Sequence, residues 1–378
     1  MLTHQRPCRL ILALWGESHL ETALSLTLPA VLAPGNLPYL SNLFPCEFVL
    51  VTERRLVQSF LSHPVTAQLR QHVKVLCRPM DDLLESPCSY GLTLTLALER
   101  GFDDIRETVT ETNLLFLNSD FILADGSYVC LAKKLREGAR LVASPSYCAN
   151  TEMVRPVIES LKDESSHVLA VDKRYMAEII LENLHNTILG QTIGSPFHFD
   201  CVYVYQLYAR IAADTLIGYQ MPIALVAMRP TVAHHRIRTF WDFGVASEFC
   251  PGEDYQILGD SDEFLMMELR ERDVGKEYIC TGSLDAAHIA AKLSSQLTYD
   301  QYRCAENLLI LHSRDLFVDL GGGQFMLDRV RDEIRNGLPG QKVVKHQYHP
   351  IWMHHLALLH ARQKERSLGG RFRSFFRF

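Results

Sequence analysis

The stretch Leu114-Leu-Phe-Leu-Asn-Ser-Asp-Phe-Ile-Leu-Ala-Asp-Gly-Ser-Tyr128 decides how the rest of this sequence is read. An apolar run, Leu114 to Leu117, ends in Asn118, Ser119 and Asp120. A second apolar run, Phe121 to Leu123, leads into Ala124-Asp125-Gly126-Ser127. An amide and a carboxylate two residues apart, at the end of a strand-like run, fall on one side of an extended chain. Two oxygen ligands so placed suit a hard divalent cation that keeps some water and shares substrate phosphates. The plain alternative is a strand end closed by turn-forming Asn and Asp.

Outward from this stretch, apolar runs alternate with helical periodicity. Strands are expected at Arg9–Leu14, Cys46–Thr52, Val73–Cys77, Asn113–Leu117 and Arg140–Ser144. Helices are expected at Leu20–Leu32, Arg54–Gln71, Tyr90–Gly101 and Ser127–Gly138. Continuous apolar strands alternating with helices indicate a mostly parallel sheet covered on both faces. After about residue 150, Asp172–Leu189 reads as a helix capped by Asp172, with Met176, Ile179, Ile180, Leu184 and Ile188 on one face. Added strands are expected at 201–205 and 223–228. A charged, mostly helical region is expected from about residue 285 to 378, after a catalytic unit spanning 1–284.

Composition narrows the function. The 378 residues are 47% hydrophobic and 22% charged, ordinary for a globular protein, and the formal net charge of -6 argues against general affinity for nucleic acid. Ten cysteines form no CxxC pair, so neither a zinc knuckle nor a disulfide framework is supported, and Cys46, Cys77 and Cys130 read as reduced core thiols. The apolar run Leu10–Gly16 is short, ends at Glu17 and lacks a small-x-small site, so it reads as a first strand rather than a signal peptide. No stretch reaches the roughly 18 apolar residues of a membrane span. A cytoplasmic location is the expectation.

In an open α/β sheet, ligands gather at the carboxyl ends of the strands. A strand ending in Thr52-Glu53 and another ending in a D-x-D-like triplet, in "FLNSDFILADGS", resemble the GT-A fold of nucleotide-sugar glycosyltransferases over about residues 8 to 265. The resemblance implies a metal-assisted glycosyltransferase, with Mn²⁺ or Mg²⁺ held against the donor diphosphate by Asp120, and with Asn118 standing where the first Asp usually is. That departure removes one formal charge from the site. The resemblance also implies a nucleoside pocket lined by Trp15, Gly16, Glu17, Thr52 and Glu53, with Ser119 beside the donor.

Further chemistry is expected from "RPTVAHHRIRTFWDFG", residues 229 to 244. Arg236 and Arg238 suit a diphosphate, because guanidinium forks match phosphate oxygens. Trp241 reads either as a platform for base or sugar or as an ordinary core aromatic. His234, His235 and His198 are the candidates for a further metal ligand, each against a structural reading. In "LGDSDEFLMMELRER", residues 258 to 272, acids precede an apolar run expected to be helical. Asp260, Asp262 and Glu263 are therefore either caps or, by the same resemblance, the base that deprotonates the acceptor hydroxyl.

Four other readings belong beside these. "FVDLGGGQF", residues 317 to 325, resembles the first glycine-rich motif of methyltransferases, but only 55 residues follow Gly323, too few for the rest of such a domain. A strand-glycine-helix join is the plainer reading. A sugar-nucleotide pyrophosphorylase is the rival enzyme class; it would have a basic glycine-rich loop after the first strand, where this chain has "WGESHLETALSL". A non-catalytic binding protein of the same fold is the rival from another class, supported by Asn118. The tail Lys364–Phe378 interleaves five basic residues with four phenylalanines, which suits either weak, salt-sensitive contact with an anionic membrane surface, as a lipid-linked glycan acceptor would favour, or docking of the rings on the body of the protein or a partner subunit. The acceptor is read only as a glycan, lipid-linked or protein molecule.

Overall fold

The computed structural model describes residues 5–85, 90–200, 206–220, 224–233, 237, 241–293, 304–316, 319–337, 357 and 361. A seven-stranded sheet organises them. Its strands are β1 (Cys8–Ala13), β2 (Cys46–Thr52), β3 (Lys74–Pro79), β4 (Asn113–Leu117), β6 (Leu141–Ser144), β11 (Ala224–Met228) and β12 (Tyr255–Ile257), in the order β12-β6-β11-β4-β1-β2-β3. β3, β2, β1 and β4 are mutually parallel, and β11 alone runs against its neighbours β4 and β6. β1 is buried at every residue, as a parallel strand covered on both faces must be. One face, with Leu10, Leu12, Phe48, Leu50 and Leu115, packs on the helices of residues 17–43, 54–72 and 127–136. The other, with Ile11, Val49, Val51, Leu114 and Phe116, packs on helices Tyr90–Arg100 and Trp241–Phe249. The chain is thus a mixed α/β protein with a mostly parallel sheet flanked by helices.

A second, three-stranded sheet places β13 (Met266–Arg270) between β5 (Phe121–Leu123) and β7 (Tyr147–Asn150). A third pairs β9 (Gln206–Ala212), β10 (Thr215–Gln220) and β15 (Leu309–His312), and a two-stranded one pairs β8 (Phe197–Phe199) with β14 (Ile279–Thr281). Gly35, between the helices Leu28–Val31 and Leu37–Leu43, lies close to Gly126, which follows β5. Gly35 N–H donates to Asp125 Oδ1 at 2.6 Å, and fully buried Asn36 donates to the carbonyls of Ala30 and Ala124 while accepting from Tyr128 N–H. The Ala124-Asp125-Gly126 segment is therefore held by side-chain–backbone hydrogen bonds.

Several expectations are corrected here. The helix expected over 54–71 is two, Arg54–Ser62 and Pro64–His72, because Pro64 has no N–H to continue the ladder. The helix expected from Asp172 to Leu189 stops at Glu182 and resumes as Asn186–Leu189; Asp172 does cap it, Oδ1 accepting from Arg174 N–H at 2.9 Å and Tyr175 N–H at 3.2 Å. The run after the acids at 260–263 is strand β13, not a helix, since its neighbours β5 and β7 satisfy its backbone on both sides. Gly321 to Gly323 do not form a turn; they lie inside the helix Leu320–Gly337, where a Cβ on Gly323 would meet Ile211 Cγ2 at 3.0 Å. The region from about 285 is helical at Ala286–Leu293 and Leu320–Gly337, yet between them β15 joins β10 and crosses the boundary drawn at 284. Cys46, Cys77 and Cys130 are free thiols, as read, but half-buried rather than deep in the core. Strand 201–205 and the tail 364–378 lie outside the described residues.

Candidate functional site

The strand order reverses at β1, which has β2 on one side and β4 on the other. Connections therefore leave in opposite directions there, and a crevice opens at the carboxyl ends of β1 and β4. Trp15, Gly16 and Glu17 follow β1; Asn118, Ser119 and Asp120 follow β4. His19 Nδ1 lies 3.1 Å from Ser119 Oγ, and Thr27 Oγ1 donates to the Ser119 carbonyl at 2.6 Å, so the first helix grips the Asn-Ser-Asp turn.

The end of β2 joins the same rim. Gly16, at φ 84°, donates its N–H to Glu53 Oε2 at 2.7 Å. Arg55 bridges Glu53 (2.9 Å) and Glu17 (2.7 Å). Trp15 stands against Tyr90 with ring centroids 4.8 Å apart, and Tyr90 is exposed. Thr52 is fully buried, and its Oγ1 meets no partner among the described residues. Of the nucleoside-pocket residues expected from sequence, Trp15, Gly16, Glu17 and Glu53 thus share one rim.

Asp120 is only partly exposed and turns toward the second sheet, where Leu269 N–H donates to its carbonyl at 2.9 Å. Burial, and next the neighbouring Glu268 carboxylate, push its carboxyl up to about 7, with Arg270 opposing. Glu268 is itself held by Ser146 Oγ at 2.7 Å and by Arg270. Crowding two carboxyls raises the energy of the charged pair, and a divalent cation relieves it. The carboxylates of Asp120 and Glu268 are hard oxygens of the kind Mg²⁺ or Mn²⁺ takes, and Asn118, two residues before Asp120, carries a third such oxygen in its amide. In chemistry, the residues present fit such an ion.

The other candidates lie elsewhere. Trp241 is buried in the core, edge-on to Phe116 at 4.5 Å, with its backbone N–H donating to Thr95 Oγ1, the ordinary core aromatic of its two readings. His198 sits in β8 opposite Cys280, its Nδ1 3.3 Å from the Gly282 carbonyl. His234, His235, Arg236 and Arg238 lie outside the described residues.

The acids at 260–263 occupy the opposite end of the β5–β13 pairing from Asp120: Asp120 meets Leu269, whereas Ala124 N–H meets the Leu265 carbonyl. Asp260 Oδ1 accepts Asp262 N–H at 2.8 Å, a local turn rather than a helix cap. Arg174 holds Asp262 through two bonds, 3.2 and 3.0 Å, and keeps its carboxyl below the usual range. His312 Nε2 lies 3.1 Å from Asp260 and 3.7 Å from Asp262, so among the described residues Asp260, Asp262 and His312 form a group able to hold a metal ion. A carboxylate already paired with Arg174 is a poor proton acceptor, and the base role expected of Asp262 loses its helix start as well. Glu263 is exposed in the same turn. Sequence reasoning missed His19, Arg55, Tyr90, Glu268 and His312, whose partners Ser119, Glu17, Trp15, Asp120 and Asp260 lie on other segments of the chain.

No family model matches the chain, and no curated protein matches it. Among solved structures it is similar to mouse xyloside xylosyltransferase 1 in its apo form (12% identity, TM-score 0.24, 37% of this chain and 53% of that one). It is also similar to a Bacillus anthracis protein described as a glucose-1-phosphate thymidylyltransferase, solved with sucrose (13%, 0.25, 39% and 57%). A third is galactosyltransferase LgtC with donor and acceptor sugar analogs (14%, 0.24, 37% and 47%). The chain spans about half the length of these proteins. No helix among the described residues is long and apolar enough to cross a membrane.

Proposed function

We propose that this protein is a glycosyltransferase that takes a sugar from a nucleotide-diphosphate donor bound at the strand-order reversal between β1 and β4. The observation that carries the reading is the Asn118-Ser119-Asp120 turn at the carboxyl end of β4, gripped by His19 and Thr27 and backed by Glu268. The Trp15–Tyr90 pair, its rings tilted 43° to each other, offers an aromatic face for a nucleobase, with Glu53 and Glu17 beside it for ribose hydroxyls and Ser119 nearer the phosphates. Asp120, with Asn118 and Glu268, would hold a Mg²⁺ or Mn²⁺ ion, which neutralises charge on the departing diphosphate. Desolvation and the neighbouring Glu268 raise the cost of a charged Asp120, which a cationic partner offsets. The base role is not carried over to Asp260, Asp262 or Glu263, which lie at the far end of β5–β13 from Asp120.

The test is transfer or donor hydrolysis over a panel of nucleotide sugars with and without Mn²⁺, comparing the parent chain with Asp120→Ala. Loss of turnover and of donor-dependent Mn²⁺ binding in Asp120→Ala is expected. Undiminished turnover in that variant would refute the assignment of Asp120.

A further inference from the structure

The loop Gly259–Asp262 and strand β15 come from segments 50 residues apart, yet they are locked together. Ile310 N–H donates to the Gly259 carbonyl at 2.8 Å and Ser261 N–H to the Ile310 carbonyl at 2.9 Å. His312 N–H donates to Ser261 Oγ at 3.1 Å. This pinning fixes where Asp260, Asp262 and His312 point before any ligand arrives, which lowers the ordering cost of binding.

The imidazole is the telling group. His312 has a side chain only 3% exposed, and its Nδ1 lies 2.7 Å from the Arg314 carbonyl, which can only accept. Nδ1 therefore carries the proton, and Nε2 is turned toward carboxylate oxygens of Asp260 and Asp262. With Nδ1 donating to the Arg314 carbonyl, a neutral imidazole sets its Nε2 lone pair toward the two carboxylates, the arrangement a shared cation satisfies. Nε2 stands 3.1 Å from Asp260 and 3.7 Å from Asp262. Ligands about 2.1 Å from a tetrahedral ion stand about 3.4 Å from one another, midway between the two. A histidine whose far nitrogen donates to a backbone carbonyl is the usual orientation of a metal ligand. Asp260 and Asp262 are 37% and 40% exposed, leaving the outer side open for water or another ligand.

We propose that Asp260, Asp262 and His312 bind one divalent transition-metal ion of the zinc type, in a site separate from the crevice at Asp120 and independent of the donor reading. The surrounding charge tunes it. Asp315 adds a carboxylate 2.6 Å from Arg174, while Arg174 and nearby Lys173 oppose the ion. Arg174, bonded twice to Asp262, is the competitor the metal must displace.

Metal-stripped full-length protein titrated with Zn²⁺ by calorimetry, and with Co²⁺ by visible absorption, tests this. One ion per chain is expected at this site, with a Co²⁺ spectrum that His312→Ala and Asp262→Asn each abolish and Asp120→Asn leaves intact. Asp262 is on the surface, so its variant keeps the test valid if His312→Ala fails to fold. Arg174→Met should tighten Zn²⁺ by roughly tenfold, since it removes the competing cation. No Zn²⁺ or Co²⁺ binding, binding unchanged in Asp262→Asn, or weaker binding in Arg174→Met would each overturn the proposal. Metal binding that Asp120→Asn removes and Asp262→Asn spares would overturn it while leaving the donor reading standing.

Discussion

Glu99→Gln should stabilise the chain at neutral pH and leave it nearly unchanged in acid. Glu99 lies on helix Tyr90–Arg100, which packs between the sheet and helix Trp241–Phe249. Burial is the main cause that pushes its carboxyl from an ordinary 4.5 up to about 7; Asp103 and Glu248 add to it, and Arg106 and Arg100 oppose it. A carboxyl raised in the folded state binds its proton more tightly folded than unfolded. Its stabilising effect is therefore present below about pH 4 and lost as pH rises to about 7, above which the folded state carries the full penalty of a buried charge. A shift of roughly 2.5 units corresponds to about 3 kcal/mol at 1.36 kcal/mol per unit, and the partial exposure of the side chain reduces that to about 2 kcal/mol. Gln has the same shape and no charge, so it removes the penalty. Thermal unfolding of both proteins at pH 4 and pH 8 checks this: Tm should rise in the variant at pH 8 only. Equal shifts at the two pH values, or a lower Tm for the variant at pH 8, would refute the argument.

Arg9→Met should cost about 3 kcal/mol, read as a lower Tm, because the guanidinium is 3% exposed and joins Glu47, Asp104 and the Gly101 carbonyl at the start of β1. Gly35→Ala should cost about 1–3 kcal/mol, since its Cβ would fall 2.6 Å from the backbone of Gly126, whereas Gly322→Ala, with open space in its helix, should gain up to about 1 kcal/mol; urea midpoints distinguish them. Asn118→Asp should tighten Mn²⁺, seen by electron paramagnetic resonance, because it returns a charge beside Asp120; an unchanged titration would remove Asn118 from the site.

Local pattern determined much of the frame. The runs Cys8–Ala13, Cys46–Thr52 and Asn113–Leu117 are uninterrupted apolar segments ended by polar residues, and a parallel strand buried on both faces needs little else to be recognised. Asp172 announced its helix because an N-cap acts on amides two and three residues away. The Asn118-Ser119-Asp120 turn was visible for the same reason: the change from apolar to polar falls within one strand end.

Only the tertiary structure decided what those residues face. Leu-Met-Met-Glu-Leu-Arg has helix-forming residues, yet Met266–Arg270 is a strand because β5 and β7 flank it and take up its hydrogen bonds. Glu268 reaches Asp120 only through that pairing, across nearly 150 residues of chain, and no local spacing encodes it. His312 meets Asp260 and Asp262 because β15 pairs with β10 and with the Gly259–Ser261 loop. The glycines at 321–323 read as a turn by composition, but one of them serves to let a helix approach Ile211 and Ile217. Strand runs and caps are short-range effects, whereas charge neighbours and strand partners are set by which distant segments the sheet brings together.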